Sequence, residues 1–258
     1  MVKSKEDISS ASVTTRGFIQ KSGLLKQAQN EVCVEEIFDI FLNDTHIASL
    51  VASPTELREL GAGYVITEGL AQNIDDVVVS DRAIYVSAGK TFEPVRAVTE
   101  SGGGMQVGHV RRKIVSRATI TRDEISQVIS GIVSKLWQQT GGAHCSVLFC
   151  EGNMVAKSSD VGRHNTVDKV VGFATLNDID LSACVLGCTG RQPKGMVSKA
   201  INAGIPIIVS KAATTDKGVL LARGAGLTLI CRVKQDKFTV YSHPQRVKGL
   251  GELNMERD

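Results

Sequence analysis

Aromatic side chains are scarce in this chain. Only 4% of its 258 residues are Phe, Tyr or Trp, and there is one Trp. Val, Ile, Leu and Ala must therefore fill most of the core. No run of about 18 apolar residues exists, so no membrane-spanning helix is expected. The polar stretch Met1–Ser12 lacks the apolar centre of a secretory signal, and a cytoplasmic location is expected. Charge of one sign is not in excess, at +3 overall. The densest basic cluster, Arg111-Arg112-Lys113, is too short to argue for nucleic acid. The six cysteines include no CxxC pair and form no disulfide framework. Most lie in apolar runs such as Cys145-Ser-Val-Leu-Phe-Cys150, where a buried, reduced thiol is expected. Cys184 and Cys188, four apart in a strand-like setting, are poor zinc ligands.

What remains is enough apolar residue, 42%, for one large domain or two modest ones. Residues 1–30 read as a loose polar tail feeding a first strand, with 1–13 disordered. Val32–Val51 alternates around Asn43-Asp44 and reads as a hairpin. Ser53-Pro54-Thr55-Glu56 offers an N-cap, a proline at N1 and a glutamate at N3 for a helix ending near Gly69. Strands are expected near Val77–Ser80, Ala83–Ser87 and Pro94–Val98. A second capping box, Thr121-Arg-Asp-Glu124, opens a helix that runs through Leu136 to Gly141-Gly142. Beyond it strands (144–150, 153–157, 183–187, 205–210, 227–233, 238–242) alternate with helices (165–176, 193–203, 215–225). The expected class is α/β: a strand-rich N-terminal domain over 14–113, then a three-layer α/β/α domain over 114–258.

Three strand ends open into small polar turns before helices: Leu186-Gly-Cys-Thr-Gly-Arg191, Val209-Ser-Lys-Ala-Ala-Thr-Thr215, and Lys157-Ser-Ser-Asp-Val-Gly-Arg-His-Asn165. Such places bind anions on helix N-termini, and each is also compatible with simple helix capping. Gly190 permits close backbone approach, while Arg191 and Lys211 offer charge to a phosphate. In the third turn Asp160, Arg163 and His164 exceed what a turn requires, and Asn165 reads as an N-cap. His144 begins a strand after Thr140-Gly-Gly, a position where a structural histidine is the commoner case. His243 stands before Pro244 with no local cap or turn to make.

Together these segments, with Thr67-Glu68-Gly69, resemble the FdhD family from about residue 14 to 247. Asp160-Val-Gly-Arg-His-Asn165 and Tyr241-Ser-His-Pro-Gln-Arg246 are the most specific blocks. The resemblance implies a cytidine-deaminase-like fold for the C-terminal part. The deaminase zinc signature is missing, so neither zinc nor deamination is expected. It also implies an accessory protein of formate dehydrogenase, a homodimer. Such a protein takes sulfur from a cysteine desulfurase and passes it to the molybdenum bis(molybdopterin guanine dinucleotide) cofactor, its bound client. No nucleic acid and no membrane enter this picture. The residues it assigns to the cofactor are His144, Asp160, Arg163, His164, Gly190, Arg191, Ser210, Lys211, Thr214 and His243. Arg232 and Lys237, in Arg232-Val-Lys-Gln-Asp-Lys237, are carried over although that segment departs from the family's usual sequence.

One departure bears on the reaction itself. Sulfur transfer in the family uses a persulfide on a cysteine in a glycine-rich loop, written CGxCG or GCGGG. Here Glu100-Ser101-Gly102-Gly103-Gly104 aligns with the second form, and Ser101 takes the cysteine's place. A hydroxyl cannot hold a persulfide. The chain then either binds cofactor without transferring sulfur, or uses another thiol (Cys145 or Cys188), or carries serine in place of a natural cysteine. A non-catalytic molybdenum-cofactor or guanine-nucleotide binding module is the alternative function.

Overall fold

The computed structural model describes residues 10–92, 113–235 and 237–250, together with two short strands at Val98–Thr99 and Met105–Gln106. Ser101 and its glycines lie outside the described residues. The chain opens with β1 (Ser12–Lys21) and β2 (Leu24–Cys33), paired antiparallel around Ser22-Gly23. Both turn residues have positive φ, 53° and 79°, as the tight hairpin turn matching strand twist requires. This corrects the expected loose tail. The polar side chains hid the strands because both ribbon faces meet solvent, so no alternating apolar face was written into them.

β3 (Glu36–Leu42) and β4 (Thr45–Ala52) form the expected hairpin around Asn43-Asp44. With β5 (Asp76–Ser80) and β6 (Ala83–Ser87) they make a four-stranded sheet in the order β4-β3-β6-β5. α1 (Leu57–Thr67) covers its inner face through Leu60, Tyr64 and Val65. The N-cap is Glu56, in left-handed conformation and without a side-chain cap, rather than Ser53. Ser53 is buried and belongs to a different contact, described below. β7 (Val98–Thr99) and β8 (Met105–Gln106) then pair with each other.

The expected long helix after Thr121 is two. The capping box on α2 (Arg122–Gly131) forms as anticipated. The chain then breaks, and Ser134 caps α3 (Lys135–Thr140) by accepting from Trp137 N at 3.1 Å. Periodicity alone does not reveal such a break, because the apolar spacing continues across it.

The rest is a six-stranded sheet in the order β10-β9-β11-β12-β13-β14. Its strands are β9 (His144–Cys150), β10 (Asn153–Asp160), β11 (Cys184–Cys188), β12 (Ile207–Ser210), β13 (Thr228–Lys234) and β14 (Lys237–Ser242). β11, β12 and β13 are parallel, and the others antiparallel to their neighbours. One face packs on α4 (Arg163–Leu176), α5 (Lys194–Ala203) and α6 (Asp216–Ala225), the other on α2. This is the layered alternation anticipated. Cys150 and Cys184 face each other across β9 and β11 and are joined as a disulfide, against the expectation that the strand cysteines are reduced.

Two buried polar networks bind the N-terminal half to this sheet. α1 crosses α4 so closely that a Cβ on Gly63 would fall 1.7 Å from the Asp168 carbonyl oxygen, and one on Gly172 would fall 1.9 Å from that of Glu59. Beside this crossing Lys199 donates to Asp168 and Glu68, each at 2.8 Å, and to Thr67 at 3.0 Å. Burial opposes the Lys199 charge, but two carboxylates outweigh it and hold its pKa above the ordinary value. Thr67-Glu68-Gly69 thereby acquires a structural role. Among the described residues, no helix is long and apolar enough to cross a membrane.

Candidate functional site

Because β9 runs antiparallel to β11, its first residue lies at the end where β11 and β12 finish. That brings His144 to the Thr189-Gly190-Arg191 turn and to Lys211. Thr189 Oγ1 accepts from Cys145 N at 3.0 Å and lies 3.2 Å from His144 Nδ1. The next turn joins through Lys211 N, which donates to the Cys188 carbonyl at 3.2 Å. Arg232 N donates to the Ala212 carbonyl at 2.9 Å, so the β13 end closes the row.

A cavity of about 400 Å³ opens at this edge, lined by Trp137, Gly141, Gly142, His144, Thr189 and Lys211, with apolar residues of α2 behind. Trp137 is half-exposed at its wall. It was not among the expected residues, although the chain's single Trp three residues before Thr140-Gly-Gly is a usable signal. Arg163 and His164 sit in the first turn of α4 rather than in a loop. The missing side chain of Gly190 makes room for Arg163, since a Cβ there would lie 3.0 Å from Arg163 Cβ. His144 is half-buried, and its pKa is lowered by burial, then by the positive charge of Arg163 and by His164, against the pull of Asp160.

Asp160 does not face the cavity. Its side chain is fully buried and every acceptor position is used. Oδ2 takes Lys169 Nζ at 2.6 Å and Ser53 N at 3.0 Å, while Oδ1 takes Gly162 N and Asn165 Nδ2, both at 2.8 Å. Lys169 also donates to the Ser53 carbonyl at 3.1 Å. Asp160 and Lys169 therefore hold the β10–α4 turn in place and have no valence left for a ligand. Asn165 belongs to the same clamp, not to an N-cap; the N-cap of α4 is Gly162.

Ser210 is likewise committed: its hydroxyl donates to the Gly190 carbonyl at 2.8 Å and accepts from Ala212 N at 3.1 Å, tying two turns together. Thr214 donates to the Gln192 carbonyl at 2.7 Å. Arg191, Lys211 and Arg232 are exposed around the edge, and Lys237 lies beyond it at the β13–β14 turn.

His243 is not part of the cluster. β14 runs back across the sheet, and Ser242 pairs with Leu229 at the opposite end. That is about 10 Å along the strand from Arg232. His243 has positive φ, and its Nε2 donates to the Arg223 carbonyl at 3.0 Å in the last turn of α6. It does make a cap, one formed by tertiary contact and invisible locally.

Neither expected substitute thiol is exposed. Cys188 is buried, and desolvation pushes its pKa up to about 12 despite hydrogen bonds from Ser146 and Gln192. Cys145 is 1% exposed.

Comparison with known proteins accords with these motifs. The profile of the FdhD/NarQ family matches residues 33–248. Protein FdhD of Methanocaldococcus jannaschii is 35% identical over 215 residues, covering 83% of this chain and 89% of its own. The sulfur carrier protein FdhD of Wolinella succinogenes is 31% identical over 244 residues, covering 87% and 85% respectively. A Desulfotalea psychrophila protein assigned as a formate dehydrogenase accessory protein, known from its crystal structure, superposes with a TM-score of 0.80 at 26% identity, over 92% of this chain and 99% of that one. On the extent of the profile match and these identities, the chain belongs to the FdhD/NarQ family.

Proposed function

We propose that the chain is an accessory protein of formate dehydrogenase maturation. It holds the molybdenum bis(molybdopterin guanine dinucleotide) cofactor as cargo while sulfur from a cysteine desulfurase is delivered to it, and it works as a homodimer. The carrying observation is the convergence of His144, Thr189 and Lys211 on one cavity walled by Trp137, with Arg163 packed on Gly190 and its charge acting on His144. The strand order, with helices on both sheet faces, supports the cytidine-deaminase-like reading of this half, 114–258, beside a strand-rich 14–113.

The residues present suit one guanine nucleotide half of the cargo. A cavity of about 400 Å³ has room for a base and ribose. Arg163, Lys211, Arg191 and Arg232 supply positive charge for the pyrophosphate, and the carboxylate that acts on His144, Asp160, is already neutralised by Lys169. Trp137 presents a flat apolar wall for the purine. His144, neutral at pH 7 because its pKa is lowered, offers a hydrogen bond rather than charge. When bound, the cargo supplies the metal that receives the sulfur. Gly190, Ser210 and Thr214 shape the turns, and Lys237 extends the basic edge.

Ser101 and the buried state of Cys145 and Cys188 favour a second reading, in which this chain binds and escorts the cofactor without itself carrying sulfur. Two measurements test the pair. Guanosine diphosphate should quench the fluorescence of Trp137, the chain's only Trp, and Arg163→Ala or Lys211→Ala should weaken the titration; no quenching, or unchanged titrations, refutes the placement. In cells lacking their own family member, Ser101→Cys should restore formate dehydrogenase activity. Restoration by the serine chain as well would refute the need for that thiol, and failure of both despite normal folding would remove the assignment.

A further inference from the structure

The β1–β2 ribbon is ten residue pairs long, roughly 30 Å, and among the described residues it joins the body at its base. There Cys33 Sγ lies 3.0 Å from Thr140 Oγ1, and Ala11 packs with Leu136 and Ala143. A two-stranded ribbon standing alone in water is marginally stable. Yet this one leaves Phe18 71%, Leu25 66%, Leu24 63%, Val13 51%, Ile19 48% and Val32 39% exposed.

Cross-strand register sorts these residues by face. One face carries Thr14, Arg16, Gln20, Gln27, Gln29 and Glu31 with Phe18 and Leu25, and Glu31 accepts there from Ser12 and Thr14. The opposite face is Val13/Val32, Thr15/Asn30, Gly17/Ala28, Ile19/Lys26 and Lys21/Leu24. Its smallest pair, Gly17/Ala28, lies midway, four residues from the Val13/Val32 level and four from the Lys21/Leu24 level.

That spacing makes the face self-complementary. Consider a two-fold axis through Gly17/Ala28, across the strands. It lays Val32 of one copy on Leu24 of the other, Thr15 on Ile19, and the two small centres on each other. Its cations, Lys21 and Lys26, then meet Val13 and Asn30, so no like charges oppose. The four exposed apolar side chains of this face, Val13, Ile19, Leu24 and Val32, offer roughly 350 Å² per copy toward the about 800 Å² per partner of a standard interface, before Thr15, Asn30 and the two lysine stems are counted.

We infer that the Val13–Ile19–Leu24–Val32 face of the β1–β2 hairpin is the interface through which two copies of this chain pair, isologously and face to face. The inference rests on the homodimer reading above and names its surface. The matching of the ribbon to itself, rather than to an acidic partner, follows from the neutral residues that the two-fold sets opposite each lysine.

Sedimentation of the full chain at micromolar concentration, alongside the Ile19→Glu/Leu24→Glu variant, tests it. The expected result is a dimer for the parent chain and a dissociation constant raised at least about tenfold in the variant, with unchanged circular dichroism because both sites are exposed. A second arm uses single cysteines and a short bismaleimide. Ala28→Cys, on the two-fold, should give a covalent dimer that the parent chain does not give, and Gln29→Cys, on the other face, should not. A parent dimer that survives both glutamates, or cross-links equally at 28 and 29, overturns the hairpin interface and leaves the homodimer standing. A monomeric parent chain overturns both.

Discussion

Replacing Lys169 with Met is the sharpest test of how the Asp160 turn is built. The substitution keeps side-chain length and removes the ammonium from a site where both partners are 0% exposed. Asp160 would keep its three N–H donors, Ser53, Gly162 and Asn165, but lose its only counter-charge among the described residues. The Ser53 carbonyl would lose a donor as well. Removing one member of a buried pair typically costs about 3–5 kcal/mol, since the remaining charge is stranded in a low dielectric. For a chain of this size that corresponds to roughly 6–20 °C in Tm. Urea denaturation and thermal melts of the parent, Lys169→Met, Asp160→Asn and the double variant measure it. In the double variant no unpaired charge remains, so its loss should be smaller than the two single losses added, by about 2 kcal/mol or more. A single-variant loss below about 1 kcal/mol would refute the buried clamp. So would strict additivity.

Gly63→Ala should destabilise by about 3 kcal/mol or more, because the added Cβ meets backbone rather than a movable side chain; a loss within about 0.5 kcal/mol in urea would mean that α1 and α4 do not cross as closely as described. By NMR the His144 imidazole should titrate below 6.5, and Arg163→Ala, removing a cation that lowers it, should move the midpoint upward; a midpoint at or above 6.5 would contradict the half-buried site. Since the folded imidazole binds its proton less readily than the unfolded one, the stability tied to His144 is present above pH 6.5 and lost as pH falls through the folded value, which His144→Gln should abolish in acid melts. A thiol reagent should modify Cys33, the one free cysteine among the described residues that is not buried, well before Cys145, Cys188 or Cys231; equal rates would mean that those strands are open to solvent.

Most of the architecture was legible because local pattern and tertiary structure agree over residues 121–242. Strand and helix alternate there, and apart from the break between α2 and α3 the observed boundaries shift by only a few residues from those read in the sequence. Legibility failed where a partner distant in sequence takes over a local signal. Ser53 reads as an N-cap, but its backbone is claimed by Asp160 and Lys169 more than a hundred residues away. His243 has no evident local task because the carbonyl it caps belongs to α6. Asp160 reads as a ligand because a carboxylate beside Arg and His suggests chemistry, and only burial reveals its commitment to Lys169. The β1–β2 ribbon escaped for the opposite reason: with neither face buried within the chain, nothing forced its residues to alternate.

The sulfur question follows the same logic. Sequence position made Cys188 attractive, at a strand end beside Thr189-Gly190, where a nucleophile would meet a bound nucleotide. The pleat decides otherwise. In the ladder Cys188 stands opposite Ser146, and its side chain joins the core beneath α4 and α5, 1% exposed. Burial pushes its pKa up to about 12, which disfavours the thiolate that attack on a persulfide needs. Cys231 is raised to about 12 as well, mainly by burial, and Cys150 and Cys184 are tied to each other. The sheet thus sequesters its strand cysteines while His144 and Lys211 stand at its edge, with Trp137 of α3 lining the same cavity. A reactive sulfur would have to be brought to that edge from outside the described strands.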